Sequence, residues 1–101
     1  MSLDSVKSAI KQKVSYAPHI KGRFKFDFGE DGILVIDSTV SPPEMSEEDD
    51  DDVDVVLITS LETFQGFIDG TKDPNMAFMT GKLKVKGSLG LAMKLNTILE
   101  D

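Results

Sequence analysis

The chain has 101 residues, of which 40% are apolar and 29% charged, and its formal net charge is −7. This length and balance are typical of one globular domain, so we expect a single domain over residues 1–101. The negative charge argues against non-specific nucleic-acid binding, and the absence of cysteine excludes disulfides, cysteine-based zinc sites and thiol catalysis.

An amphipathic helix is predicted first, over residues 2–16. Its apolar side chains recur at spacings of three and four, at Leu3, Val6, Ile10 and Val14. The N-terminal region lacks the apolar run of a signal peptide, and no stretch approaches the roughly 20 apolar residues of a membrane span. Together with the absence of cysteine, this pattern indicates a cytoplasmic protein.

A hairpin of two strands follows. Residues 22–29 alternate strictly and place Phe24, Phe26 and Phe28 on one face. The sequence Gly-Glu-Asp-Gly at residues 29–32 predicts a turn, and residues 33–38 read as a strand that is apolar on both faces.

An acidic loop is predicted over residues 41–52. Two prolines interrupt any strand there, and residues 47–54 carry seven acids in eight positions. A Ca²⁺-binding loop of the EF-hand kind, read from Asp49, would need glycine sixth and glutamate twelfth, where the chain has Asp54 and Ser60. The pattern therefore favours a solvated loop over a metal site, and no metal is predicted.

The second half of the chain predicts a buried strand over residues 53–59 and a helix capped by Ser60 that ends at Gly70. A short helix opens at Asp73 with Pro74 at its first position, and residues 82–87 form a strand. A last helix carries Leu89, Leu91, Met93, Leu95, Ile98 and Leu99. The order α-β-β-loop-β-α-α-β-α predicts an α/β (α+β) domain whose sheet is covered on one face by helices.

A row of lysines, Lys82, Lys84 and Lys86, marks the last strand. Such a row is typical of a solvated or protected edge strand. The alternative is transient contact with an anionic membrane, and the sequence favours the edge-strand reading.

No catalytic constellation is present. His19 is the only histidine, no G-x-S-x-G nucleophile motif occurs, and residues 81–88 have the wrong spacing for a phosphate-binding loop. We expect neither an enzyme nor a cofactor. The concentration of phenylalanine and methionine over residues 64–93 indicates a core or, taken as a set, the surroundings of an apolar ligand.

A family resemblance rests mainly on residues 77–95, Ala-Phe-Met-Thr-Gly-Lys-Leu-Lys-Val-Lys-Gly-Ser-Leu-Gly-Leu-Ala-Met-Lys-Leu. This segment resembles the C-terminal signature of the sterol carrier protein (non-specific lipid-transfer) family. Residues 53–60 are similar to that family's Asp-bearing strand, and residues 67–74 to its helix-Gly-x-x-x-Pro turn.

The resemblance implies a mixed sheet with helices over one face, enclosing an apolar tunnel for fatty acid, acyl-CoA or sterol, without enzymatic activity. The sheet would have five strands, or four because the prolines and acids of residues 39–52 replace the usual third strand. The tunnel would be lined by Phe26, Phe64, Phe67, Ile68, Phe78, Met79, Leu91, Met93 and Leu95. A rival reading is an interaction module of the same fold whose cavity is filled.

The last helix would close the tunnel. Because an α-helix has 3.6 residues per turn, either Leu91 with Leu95 or Leu89 with Met93 faces the ligand, and we favour Leu91 with Leu95.

Overall fold

The structure is a computed structural model that describes residues 3–15, 21–40 and 43–99, with backbone only for residues 14–15 and 95–99. His19 lies outside these residues. The elements in chain order are α1 (Leu3–Ser15), β1 (Arg23–Asp27), β2 (Ile33–Asp37), β3 (Glu44–Ser46), β4 (Val55–Ile58), α2 (Leu61–Asp69), α3 (Pro74–Met79), β5 (Lys84–Gly87) and α4 (Leu89–Leu99).

The five strands form one mixed sheet in the order β3-β2-β1-β4-β5. β1 and β4 run parallel, and the other neighbours are antiparallel. The predicted α+β architecture with a five-stranded mixed sheet is therefore confirmed.

The prediction of an uninterrupted loop over residues 41–52 was wrong. Glu44–Ser46 form the short strand β3, which pairs antiparallel with β2 and places Met45 opposite Ile36. Met45 packs against the core, and three residue pairs with β2 hold this strand on the sheet. A three-residue strand with a single apolar residue carries no periodic signal in the sequence.

The core lies between the sheet and the helices, and the alternation of β1 accounts for its centre. Phe24 and Phe26 are fully buried and Phe28 nearly so, as the period of two predicts. Leu34, Ile36, Val55 and Leu57 extend this apolar layer across β2 and β4, and Val6 and Ile10 cover it from α1.

The ends of α2 and α3 are determined by local chemistry that the sequence predicts. The Ser60 hydroxyl accepts the backbone N–H of Thr63 at 3.1 Å, and Gly70 ends α2 in the left-handed region with φ of 79°. Asp73 caps α3 through the N–H of Asn75 at 3.0 Å, with Pro74 at the first helical position. These caps leave a four-residue connection, residues 70–73, between the two helices.

Among the described helices, none combines the length and apolar character needed to cross a lipid bilayer. The cytoplasmic location predicted from the sequence stays a prediction, as does the extent of the domain.

Candidate functional site

A row of phenylalanine rings runs from the sheet into α2. The ring of Phe64 lies 5.1 Å from that of Phe26 and 5.3 Å from that of Phe28, both edge to face. Phe67, one turn further along α2, lies 5.8 Å from Phe64. Aromatic rings prefer this edge-to-face geometry, so the row is a well-packed part of the interior.

Five of the nine predicted lining residues lie at this interior. Phe26, Phe64 and Phe67 are buried in the core, and Ile68 and Leu91 are partly buried against it. Leu91 reaches the sheet beside Gly22, where a Cβ added to the glycine would lie 3.2 Å from a methyl of Leu91. The structure therefore brings residues of β1, α2 and α4 together, as the resemblance implies.

Three other predicted residues lie on the surface, which corrects their expected inward orientation. Phe78, Met79 and Met93 are 48%, 78% and 67% exposed. α3 buries Pro74 and Ala77 instead, and α4 buries Ala92, so helical periodicity turns the larger side chains outward. Residue type alone does not tell which face of a short helix is buried.

The two possible faces of α4 are distinguished by burial. Leu89 is 55% exposed, like Met93, whereas Leu91 packs against the core. The face that carries Leu91 is therefore the inward one. The side chain of Leu95 lies outside the described residues.

An open cleft of about 460 Å³ lies at the connection between α2 and α3. It is lined by Phe67, Gly70, Thr71, Lys72, Asp73 and Pro74. The sequence analysis missed Lys72, although a glycine inside α2, Gly66, is the signal that could have drawn attention to this connection.

The acidic loop is largely exposed to solvent, as predicted, and it also folds back to form ion pairs on the sheet face opposite the helices. Arg23 of β1 pairs with Asp50 at 2.7 Å and Asp52 at 3.1 Å, and Lys25 pairs with Asp51 at 3.2 Å and also with Asp49. Lys25 is only 8% exposed. The carboxylates thus neutralise two cations that point away from the core.

These contacts shift the pKa values of the groups involved. The backbone N–H of Asp52 and the Arg23 guanidinium lower the pKa of Asp50. The bond to Asp50 raises the pKa of Arg23, and the bond to Asp49 raises that of Lys25. Within the described ranges no group of three or more acidic, histidine or cysteine side chains is placed to hold a metal ion.

The lysine row lies at the edge of the sheet. Lys82, Lys84 and Lys86 are exposed, and Lys84 and Lys86 pair across the strands with Ile58 and Val56 of β4. Because Leu57 and Val85 share the core face, the lysines of β5 point to the opposite face.

The profile of the SCP-2 sterol transfer family matches residues 4–100, nearly the whole chain. The chain belongs to this family. The resemblance predicted from residues 77–95 is thereby confirmed.

Curated relatives include much longer proteins. Hydroxysteroid dehydrogenase-like protein 2 of Rattus norvegicus is 32% identical over 95 residues, which are 93% of this chain and 18% of that protein. Non-specific lipid-transfer protein-like 1 of Caenorhabditis elegans is 32% identical over 72 residues, covering 71% of this chain and 61% of the relative. The chain spans less than a fifth of the dehydrogenase-like relatives it matches.

Solved structures of SCP-2 domains share the fold. The sterol carrier protein domain 2 of Helicoverpa armigera superposes with a TM-score of 0.73 at 26% identity, covering 95% of this chain and 83% of that one. The palmitated SCP2L2 of Aedes aegypti superposes with a TM-score of 0.76 at 19% identity, covering 100% of this chain and 96% of that one. The second likeness shows the fold alone.

Proposed function

We propose that this SCP-2 domain binds and transfers an apolar ligand, a fatty acid, acyl-CoA or sterol, held between the sheet and helices α2 and α4. The observation that carries the proposal is the row of rings from Phe26 through Phe64 to Phe67, lying inside the fold of a sterol-transfer family. A lipid chain is recognised by apolar and aromatic surface, which this row supplies. The Aedes aegypti protein of the same fold is described as palmitated, which adds support.

The proposed lining combines residues of three elements. Phe26 comes from the sheet, Phe64, Phe67 and Ile68 come from α2, and Leu91 comes from the inward face of α4. Leu95, one helical turn beyond Leu91 in the sequence, completes the proposed lining. In this proposal α4 is the element that closes the site.

The ligand has to displace packed side chains when it binds. The ring distances of 5.1–5.8 Å along the row leave the phenylalanines in mutual contact. The same packing favours the second candidate, an interaction module of the same fold that binds no ligand. Neither candidate is an enzyme, and the dehydrogenase-like activity in the names of the longer relatives is assigned in this proposal to the parts outside the match.

Native mass spectrometry after gentle purification separates the two candidates. A carrier retains part of its lipid, so we expect a second mass peak above that of the bare protein. Organic extraction should then release a lipid of the mass difference. Bare protein alone, with no lipid in the extract even after incubation with a fatty-acid mixture, would favour the filled module.

A further inference from the structure

We propose that the cleft between α2 and α3 is where a long-chain fatty-acid anion enters the domain, with Lys72 binding its carboxylate. This inference rests on the proposed function, because it concerns the path and the charged end of the ligand.

The cleft is open to solvent and has both apolar and polar lining residues. Its volume of about 460 Å³ falls in the range of roughly 300–1,000 Å³ common for small-molecule pockets. Phe67 and Pro74, both buried, form its apolar part, and Thr71, Lys72 and Asp73 form its polar rim. An apolar base with a charged rim suits an amphiphile.

Gly66 explains the position of Lys72. A Cβ at residue 66 would lie 2.6 Å from both Cγ and Cδ of Lys72, closer than real contacts allow. The backbone N–H groups of Thr71 and Lys72 both donate to the Gly66 carbonyl, at 3.0 and 3.1 Å. Glycine inside a helix is destabilising relative to alanine, so its presence here has a packing reason: it leaves room for the lysine stem across α2.

Lys72 is available for an anion. In the ranges that the structure describes, its ammonium makes no ion pair. The two neighbouring acids bind elsewhere: Asp73 accepts the N–H of Asn75 at 3.0 Å, and Asp69 accepts the Gln65 side-chain amide at 3.0 Å. Lys72 is therefore the cation that the cleft lining offers to a carboxylate.

The cleft ends at Phe67, whose buried ring begins the aromatic row of the interior. Phe67 lines the cleft and contacts Phe64 at 5.8 Å, and Phe64 contacts Phe26 at 5.1 Å. An acyl chain that moves the Phe67 ring aside meets these rings in sequence. Its carboxylate then stays at the rim, beside Lys72.

The test compares hexadecanoate with hexadecanol, which share a chain but differ in charge, by displacement of a fluorescent fatty acid. Lys72→Met keeps the lysine stem and removes its charge, so we expect about tenfold weaker hexadecanoate binding and unchanged hexadecanol binding. Lys94→Met, an exposed lysine of α4, is the matched control and should leave both unchanged. Gly66→Ala should reproduce the selective loss, because its Cβ displaces the Lys72 stem.

An unchanged ratio of hexadecanoate to hexadecanol affinity in Lys72→Met would overturn this inference and leave the carrier function intact. An equal loss of affinity for hexadecanoate and hexadecanol would also overturn it, because Lys72 would then contact the acyl chain and not the carboxylate. Failure of the wild-type protein to bind either ligand would remove the proposed function as well.

Discussion

Arg23 and Lys25 carry their charges in the middle of the sheet, on the face away from the core. Their alternation with phenylalanines along β1 predicts this orientation correctly. The alternation does not show that the aspartates of the acidic loop, more than 20 residues later, fold back onto Arg23 and Lys25. Such pairing depends on tertiary structure, and a largely buried charge such as Lys25 requires a partner.

The ion pair between Asp50 and Arg23 makes the stability of the protein depend on pH. Its pKa is lowered in the folded protein, so its carboxylate contributes stability above the ordinary aspartate pKa of about 3.9. That contribution is lost as the pH falls through the lower folded value. Asp50→Asn should therefore lower Tm at pH 7, and the difference from wild type should shrink as the pH falls through the lowered pKa of Asp50.

Thermal unfolding followed by circular dichroism between about pH 2 and pH 7 measures this difference. Asp31→Asn, in the exposed turn between β1 and β2, is the matched control. A Tm difference for Asp50→Asn that is absent at pH 7, or equally large at both ends of the range, would contradict the assigned role.

Elements with a strong local signal were predicted, and elements that depend on a partner were not. Alternation identified β1, and capping residues identified α2 and α3, because these signals act within a few residues. β3 was missed because a three-residue strand with one apolar side chain has no periodic signal and forms by pairing with β2. The outward orientation of Phe78 and Met79 was missed for a related reason, since a six-residue helix has too few positions to define its buried face.

The lysines at β5 allow a test of membrane contact. Lys84 and Lys86 on the edge strand β5, and Lys82 just before it, are exposed, and solvation and protection of the edge explain them. Changing all three to Gln should leave binding to mixed phosphatidylcholine and phosphatidylserine vesicles little altered at about 0.15 M salt. Strong, salt-sensitive binding by the wild type that the triple variant loses would instead establish membrane contact through this row.

At the scale of the whole molecule, the sequence predicted the family, the fold and part of the site. The family signature lies in one continuous segment, residues 77–95, and so could be read directly. Gly66 marks the connection between α2 and α3 in the sequence, but the cleft at Lys72 forms only when that connection packs across the glycine. The part of the site formed by core phenylalanines could therefore be predicted from the sequence. The cleft could not be located, because it depends on how α2 and α3 pack together.

We expect this domain to hold an apolar chain under α4. Burying a 16-carbon tail is favourable by roughly 12–13 kcal/mol at about 0.8 kcal/mol per methylene. Lost translational and rotational freedom offsets several kcal/mol of this, which leaves a net free energy near −8 kcal/mol, or a micromolar Kd.

The most direct measurement is a titration of the purified protein with a fluorescent long-chain fatty acid. We predict saturable binding with a Kd on the order of 1 μM, weakened at least tenfold in Leu95→Gln and unchanged in Lys94→Ala on the same helix. The absence of saturable binding of fatty acid, acyl-CoA and sterol up to about 100 μM, well above the expected Kd, would contradict it.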